Sequence, residues 1–247
     1  MTAEFTPIDA GQTFAFACGP QVGCFNECCR DLNQFLYPYD ILRLCRCLEW
    51  PSERFLAHYT RTHDGPMTGL PVVSLRFDPA RDGTCPFVTA SGCRVYPDRP
   101  AACRLYPLAR AIRRTCPHAP LTEHFALLRE PHCQGHEAAL KQGVRDWIET
   151  QGLADYHRLN DPMVSLIGLK RRRHPAPLPP SIQARVHTAL YDADRFRRHL
   201  LSHPQDDPLA PSGLERQALA EDDEALIRFA YRWVAALIEV LTPGAPG

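Results

Sequence analysis

Residues 18–30 read CGPQVGCFNECCR, and the way this stretch becomes ordered decides what kind of fold the chain adopts. It sets four cysteines in twelve residues, Cys18, Cys24, Cys28 and Cys29, the last two adjacent. Helical periodicity is almost absent from residues 1–37. A segment with no apolar stripe has little hydrophobic reason to fold, so its order is expected to come from what the thiols bind. Downstream, CPFVTASGCRVYPDRPAACRLYP (85–107) adds Cys85, Cys93 and Cys103, and Cys133 stands between His132 and His136.

Disulfides are a poor explanation for these thiols. MTAEFTPIDAGQTFAFACG shows no basic region followed by an apolar stretch, and no window approaches about eighteen uninterrupted apolar residues. A cytoplasmic protein is therefore expected, in a reducing compartment where stable disulfides are uncommon. Eleven cysteines, an odd number, also fit complete pairing badly. Lys plus Arg balances Asp plus Glu at 28 each, so no global charge points to nucleic acid or an anionic membrane. Neither is expected as a partner; an unidentified protein partner stays open.

Outward from the cysteines the texture becomes regular. YPYDILRLCRCLEW (37–50) predicts a helix capped by Asp40, and Pro51-Ser52 opens a second, ERFLAHYTRTH, capped by Ser52. LPVVSLRFDP (70–79) reads as a strand. CPFVTASGCRVYP (85–97) reads as a hairpin turning at Ala90-Ser91-Gly92, which would bring Cys85 and Cys93 together across its mouth. EAALKQGVRDWIETQG (137–152) predicts a helix ending at Gly152, and Asn160-Asp161-Pro162 starts another. After the proline-rich break HPAPLPP (174–180), one amphipathic helix carries Ile182, Val186, Leu190, Phe196 and Leu200. Another carries Leu226, Phe229, Trp233, Leu237 and Leu241. The expected fold is mainly α, with a small antiparallel β-hairpin element and an irregular cysteine-rich metal-binding core. The expected division is a metal-binding domain over 1–172, a linker over 173–180 and a helical extension over 181–247.

The spacings exclude familiar sites. There are no paired C-x2-C knuckles, no C-x3-C-x2-C run and no glycine-rich phosphate loop. Adjacent Cys28 and Cys29 serve one tetrahedral ion awkwardly, so either they serve different metals or one of them packs as a small apolar residue. Eight cysteines (Cys18, Cys24, Cys28, Cys29, Cys85, Cys93, Cys103 and Cys133) suffice for two four-thiolate sites or for one cluster with spares. Thiolate donors select zinc or iron–sulfur chemistry over magnesium or calcium.

The pieces C-x5-C-x3-CC, CPF at 85–87, C-x-V-Y at 93–96 and RP-x-x-CR-x-YP at 99–107 resemble the YkgJ-type cysteine-cluster family of zinc- or iron-chelating domains. The resemblance covers roughly 16–110. The tail EPHCQGH…VRDWIETQGL resembles a longer bacterial subgroup. The gap between Cys18 and Cys24 is wider than the family's compact C-x2-C-x2-CC form. A similar cluster occurs in flagellin lysine N-methylases, whose cysteines are thought to hold an iron–sulfur centre. The resemblance thus implies an iron–sulfur cluster in a redox or accessory role, with zinc or mononuclear iron as the alternative. It also leaves open a methylase-like enzyme and a structural-zinc interaction module.

Other residues invite plainer readings. Cys45 and Cys47 fall on different faces of one helix, and Cys116 lies in an irregular basic stretch. His132 and His136 flank Cys133 as nitrogen ligands, supporting hydrogen-bond partners or solvated loop residues. Arg99 and Arg104 either offset thiolate charge or pair with carboxylates such as Asp98.

Overall fold

The computed structural model describes residues 3–30, 32–116, 119–202 and 207–241. The first regular elements are β1 (Glu4–Ile8), β2 (Thr13–Ala15), β3 (Phe35–Leu36), α1 (Pro38–Leu48), α2 (Ser52–Tyr59), β4 (Thr60–Asp64) and β5 (Pro71–Leu75). The cysteine-rich middle adds β6 (Val88–Thr89), β7 (Gly92–Cys93), α3 (Ala101–Leu105), β8 (Leu108–Arg113), β9 (Thr122–Arg129) and β10 (Lys141–Gly143). From Val144 the regular elements are helices: α4 (Val144–Thr150), α5 (Ala154–Asn160), α6 (Pro162–Arg173), α7 (Pro180–Tyr191), α8 (Ala193–Ser202), α9 (Gly213–Glu221) and α10 (Asp223–Val240). The fold is mainly α with small antiparallel sheets, as expected. Among the described residues no helix is long and apolar enough to cross a membrane.

Two compact units divide the chain, and they interleave. The first comprises Met1–Gln34 and Leu75–His157, the second Phe35–Ser74 and Arg158–Gly247. This differs from the sequential division at 172 and 181 for a physical reason. The α1–α2 region buries its apolar face among C-terminal helices. Arg46 Nε and Nη2 bind Asp223 at 3.0 and 2.7 Å, Ser52 Oγ donates to Asp192 at 2.7 Å, and Tyr191 donates to the Pro71 carbonyl at 3.1 Å. The proline-rich segment joins α6 to α7 within that second unit, where Lys170 Nζ donates to the Ala176 carbonyl at 2.8 Å.

In the first unit β1, β9 and β8 form an antiparallel sheet, with Ile8 opposite Phe125 and Leu108 opposite Leu127. β10 pairs with β2. Phe14, Phe16, Leu108, Phe125, Leu127 and Val144 make the core. Trp147 meets Phe14 and Phe16 edge-on at 5.9 and 5.7 Å, and its Nε1 donates to the Leu105 carbonyl at 3.1 Å. The helix expected from Glu137 starts only at Val144. Lys141–Gly143 pair with β2 instead, and Gln142 Nε2 donates to the Phe16 carbonyl at 2.9 Å.

In the second unit α10 is the central helix, with Leu226, Phe229, Trp233, Leu237 and Ile238 buried. Each such side chain contributes about 1.5–3 kcal/mol. Asp222 caps α10 through Glu224 N and Ala225 N, at 2.8 and 3.1 Å. The helix expected to run from Ile182 to Leu200 breaks at Asp192, whose Oδ1 accepts from Ser52 Oγ and from Arg195 N. Asp40 is the third residue of α1 rather than its cap and accepts from Tyr37 N at 2.8 Å. Likewise Ser52 is the first residue of α2, and the chain after Tyr59 becomes β4.

Candidate metal centre

Cys18, Cys24, Cys28, Cys29, Cys85, Cys93, Cys103 and Cys133 all lie in the first unit. Among the described residues no cysteine is joined in a disulfide. Cys28 and Cys29 sit on a 3-10 turn (Glu27–Cys29) entered through Asn26 at φ 73°. Asparagine tolerates that left-handed conformation better than most residues. Its Nδ2 donates to the Thr89 carbonyl at 3.0 Å and so ties the turn to the hairpin of β6 and β7.

That hairpin pairs Val88 with Cys93 and Thr89 with Gly92, so the chain reverses through Ala90-Ser91, and Gly92, expected in the turn, is the first residue of β7. The Cys85 amide donates to the Cys29 carbonyl at 2.8 Å, and Arg30 bridges to Thr84. The second run of cysteines is thereby laid against the first. On the other flank Gln134 N donates to Cys24 Sγ at 3.2 Å, and Ala17 N donates to the Gly135 carbonyl at 3.0 Å. A Cβ on Gly135 would stand 2.6 Å from the Phe16 ring and 2.7 Å from the Ala17 carbonyl oxygen. Glycine is what lets the loop after Cys133 approach so closely. The Tyr106 ring meets Phe16 edge-on at 5.8 Å, and its hydroxyl is buried beside Cys133 and Glu130.

The electrostatics show which thiols are neighbours. Burial pushes Cys18 up to about 11, with Cys28, Cys24 and Cys133 adding to the rise. Hydrogen bonding from Cys29 holds Cys28 down at about 7 despite burial. The same interaction pushes Cys29 far up, followed by burial and by Cys28, Cys85 and Cys103. Burial raises Cys85, with Cys93 adding, and raises Cys93, where Arg99 and Arg94 oppose it. Cys18, Cys24 and Cys133 therefore group on the side of Cys28, and Cys85 and Cys103 on the side of Cys29. The adjacent pair stands where the groups meet. The thiols are within electrostatic reach without being closed into a cage: among the described residues no three Cys, His, Asp or Glu side chains are arranged to hold an ion.

Arginines shape the loop between the groups. Arg104 is 9% exposed. Its Nε donates to the Arg99 carbonyl at 3.0 Å, Nη1 to the Gln151 carbonyl at 2.7 Å, and Nη2 to the Pro97 carbonyl. It ties the Cys93–Cys103 loop to the end of α4, where Gly152 turns the chain at φ 63°. Backbone carbonyls occupy it, in place of the thiolates of one reading and the carboxylates of the other. Arg99 stacks on Tyr96 at 3.8 Å and lies near enough to Cys93 to favour its thiolate.

Several neighbours escaped the sequence reading. Cys103 Sγ donates to Gln34 Oε1 at 3.5 Å, and the Gln134 amide reaches Cys24. Gln34 is far from Cys103 in sequence and carries no motif. His136 places Nε2 3.1 Å from the Leu128 carbonyl and its ring 5.3 Å from Phe16, and burial lowers its pKa. It packs behind the loop. His132 is 3.7 Å from Glu130. Cys45 and Cys47 belong to α1 in the second unit, and Cys116 is exposed after β8.

The family CxxCxxCC, described as "Putative zinc- or iron-chelating domain", matches residues 17–134. Over residues 17–134 the chain is similar to that family. The matched span opens one residue before Cys18 and closes one after Cys133, so it takes in every cysteine of the chain. The CxxCxxCC span also runs through residues 35–74, which pack in the second unit. No curated protein and no solved structure matches the chain.

Proposed function

We propose that the CxxCxxCC domain of this protein holds an iron–sulfur centre and works as an electron carrier or redox accessory in the reducing cytoplasm. The observation that carries this reading is the gathering of eight thiols around the Cys28–Cys29 joint. One set is Cys18, Cys24, Cys28 and Cys133 and the other is Cys29, Cys85 and Cys103, with Cys93 acting on both sides, raised by Cys28 and itself raising Cys85. With Cys93 counted in the second, each set supplies four sulfur donors and no histidine. That donor chemistry fits iron–sulfur clusters and zinc and is wrong for magnesium or calcium. Cys18 and Cys103 are exposed, which leaves the centre open to a redox partner, whereas structural zinc needs no such access.

Bound there, a cluster would supply one-electron transfer. The chain's own residues prepare its surroundings. Arg99 and Arg94 favour the thiolate form of Cys93. Arg104 fixes the loop from Cys93 to Cys103, and Gly135 with Gln134 presses the Cys133 loop towards Cys24. Metal–sulfur bonding would supply the free energy that draws the thiols onto an ion.

The test is purification without oxygen, followed by iron, zinc and acid-labile sulfide analysis and a visible spectrum. Brown protein with iron and sulfide in matching amounts is the expected result. Colourless protein carrying zinc would overturn the iron–sulfur reading and leave a structural-zinc domain.

A further inference from the structure

Tyr106 carries a hydroxyl that packing alone does not explain. Its ring meets Phe16 edge-on at 5.8 Å, and Tyr106 and Cys133 both pack against the core of the first unit. A phenylalanine would fill the same place. The Tyr106 oxygen is nevertheless buried, and among the described residues it closes no hydrogen bond of good geometry. An O–H at such depth ordinarily has a partner to reach, because leaving it unmet is costly.

The backbone brings Tyr106 and Cys133 together from both sides of Leu128. Leu128 N donates to the Pro107 carbonyl at 2.8 Å, and the Leu128 carbonyl lies 3.1 Å from His136 Nε2. Two polar side chains are then within reach of the hydroxyl, Cys133 and Glu130. Glu130 has other company: its side chain is part-exposed, and His132 Nε2 stands 3.7 Å away. Cys133 lies against the core, where the Gly135 amide and the Tyr106 hydroxyl are the donors that approach its sulfur. A metal ligand is a thiolate, and a hydrogen bond to a charged acceptor is about twice as strong as one to a neutral group. Holding a metal would therefore make Cys133 the better partner.

We propose that Tyr106 tunes the metal centre: its hydroxyl donates to the metal-bound Cys133 sulfur and holds the reduction potential of the centre up. The potential rests on the iron–sulfur reading given above, whereas the hydrogen bond needs only a metal thiolate. Such a bond stabilises the more negative, reduced cluster more than the oxidised one, so its loss makes the cluster harder to reduce.

Wild type, Tyr106→Phe and a protein with 3-fluorotyrosine in place of Tyr106 are purified without oxygen, assayed for iron and sulfide, and titrated potentiometrically. Tyr106→Phe keeps the ring and should keep the metal. It should favour the oxidised cluster about tenfold, which is about 59 mV lower for one electron. 3-Fluorotyrosine has nearly the same shape and a more acidic hydroxyl, so it should move the potential the opposite way. The lowering should persist in a Glu130→Gln background, where no carboxylate competes for the hydroxyl. Unmoved potentials at full metal content, or a shift that vanishes in Glu130→Gln, overturn the proposal. If Tyr106→Phe loses its metal, the fluorotyrosine protein decides. A wild type without iron and sulfide sinks the iron–sulfur reading instead, and cobalt(II)-loaded proteins then test the hydrogen bond by itself. Its loss in Tyr106→Phe should move the sulfur-to-cobalt charge-transfer band to longer wavelength, and an unmoved band overturns the proposal.

Discussion

The Cys85 amide lies 2.8 Å from the Cys29 carbonyl oxygen, and this one hydrogen bond lays the second run of cysteines against the first. Cys29 consequently faces Cys85 and Cys103, while Cys28 faces Cys18. Replacing either member of the pair should therefore empty a different donor set. Cys28→Ser and Cys29→Ser are each expected to lower bound metal per chain by about half, and the double variant to remove nearly all of it. Metal analysis of the three proteins checks this. A Cys28→Ser protein with its full metal complement would sink the two-set arrangement.

Arg104 predicts a stability effect of a different kind. Arg104→Ala leaves the carbonyls of Pro97, Arg99 and Gln151 without their donor in a part-buried loop. At about 0.5–1.5 kcal/mol for each hydrogen bond lost, the cost should reach about 2–4 kcal/mol. Arg104→Lys keeps the charge but cannot fork to three carbonyls, so it should recover only a minor part. Urea denaturation reads both. A change of only a few tenths would show that the loop holds itself.

The unequal legibility of the chain has a physical basis. The β6–β7 hairpin and the eight cysteines were readable because local spacing encodes them: a short turn at Ala90-Ser91 and thiols at fixed offsets. α10 was readable because its apolar residues recur at three and four. The β8–β9 hairpin was missed. Both strands carry charged side chains, such as Arg110 paired with Glu123, and the apolar residues alternate only briefly. The break at Asp192 was missed because it depends on Ser52, far away in sequence. That same non-local bond places residues 35–74 among the C-terminal helices, where no composition shift announces it. At the candidate metal centre the cysteines and their spacing were legible, and their contacts with Gln34, Gln134 and the loop at Gly135 were not. Supports are chosen by contact, and contact leaves no spacing.

Ser52 offers a test confined to the second unit. Its Oγ donates to Asp192 at 2.7 Å and accepts from Asp194 N at 3.0 Å, so it serves the start of α8, while its own backbone N–H donates to Asp194 at 2.7 Å. Ser52→Ala should cost about 1–2 kcal/mol, the usual loss when a buried hydroxyl that holds two hydrogen-bond partners is removed. Metal per chain should not change, because no cysteine of the centre touches this network. A metal loss matching the stability loss would show that the two units do not behave separately.

Cys45 should make alkaline stability fall. Its thiol is raised from an ordinary 9.0 to about 12, first by burial and then by Asp194, Asp192 and Asp223. The native state holds the proton more tightly than the unfolded chain. The stabilisation is therefore complete below pH 9 and is lost as pH climbs from 9 towards 12. Other cysteines and tyrosines titrate in the same window, so the informative quantity is the difference between wild type and Cys45→Ala. The variant should be less stable at pH 7, by about 1 kcal/mol for the small space vacated, and its stability should fall less steeply above pH 9. Parallel curves across that window would mean that the thiol ionises as readily inside the protein as in the unfolded chain, and the acidic wall around it would lose its support.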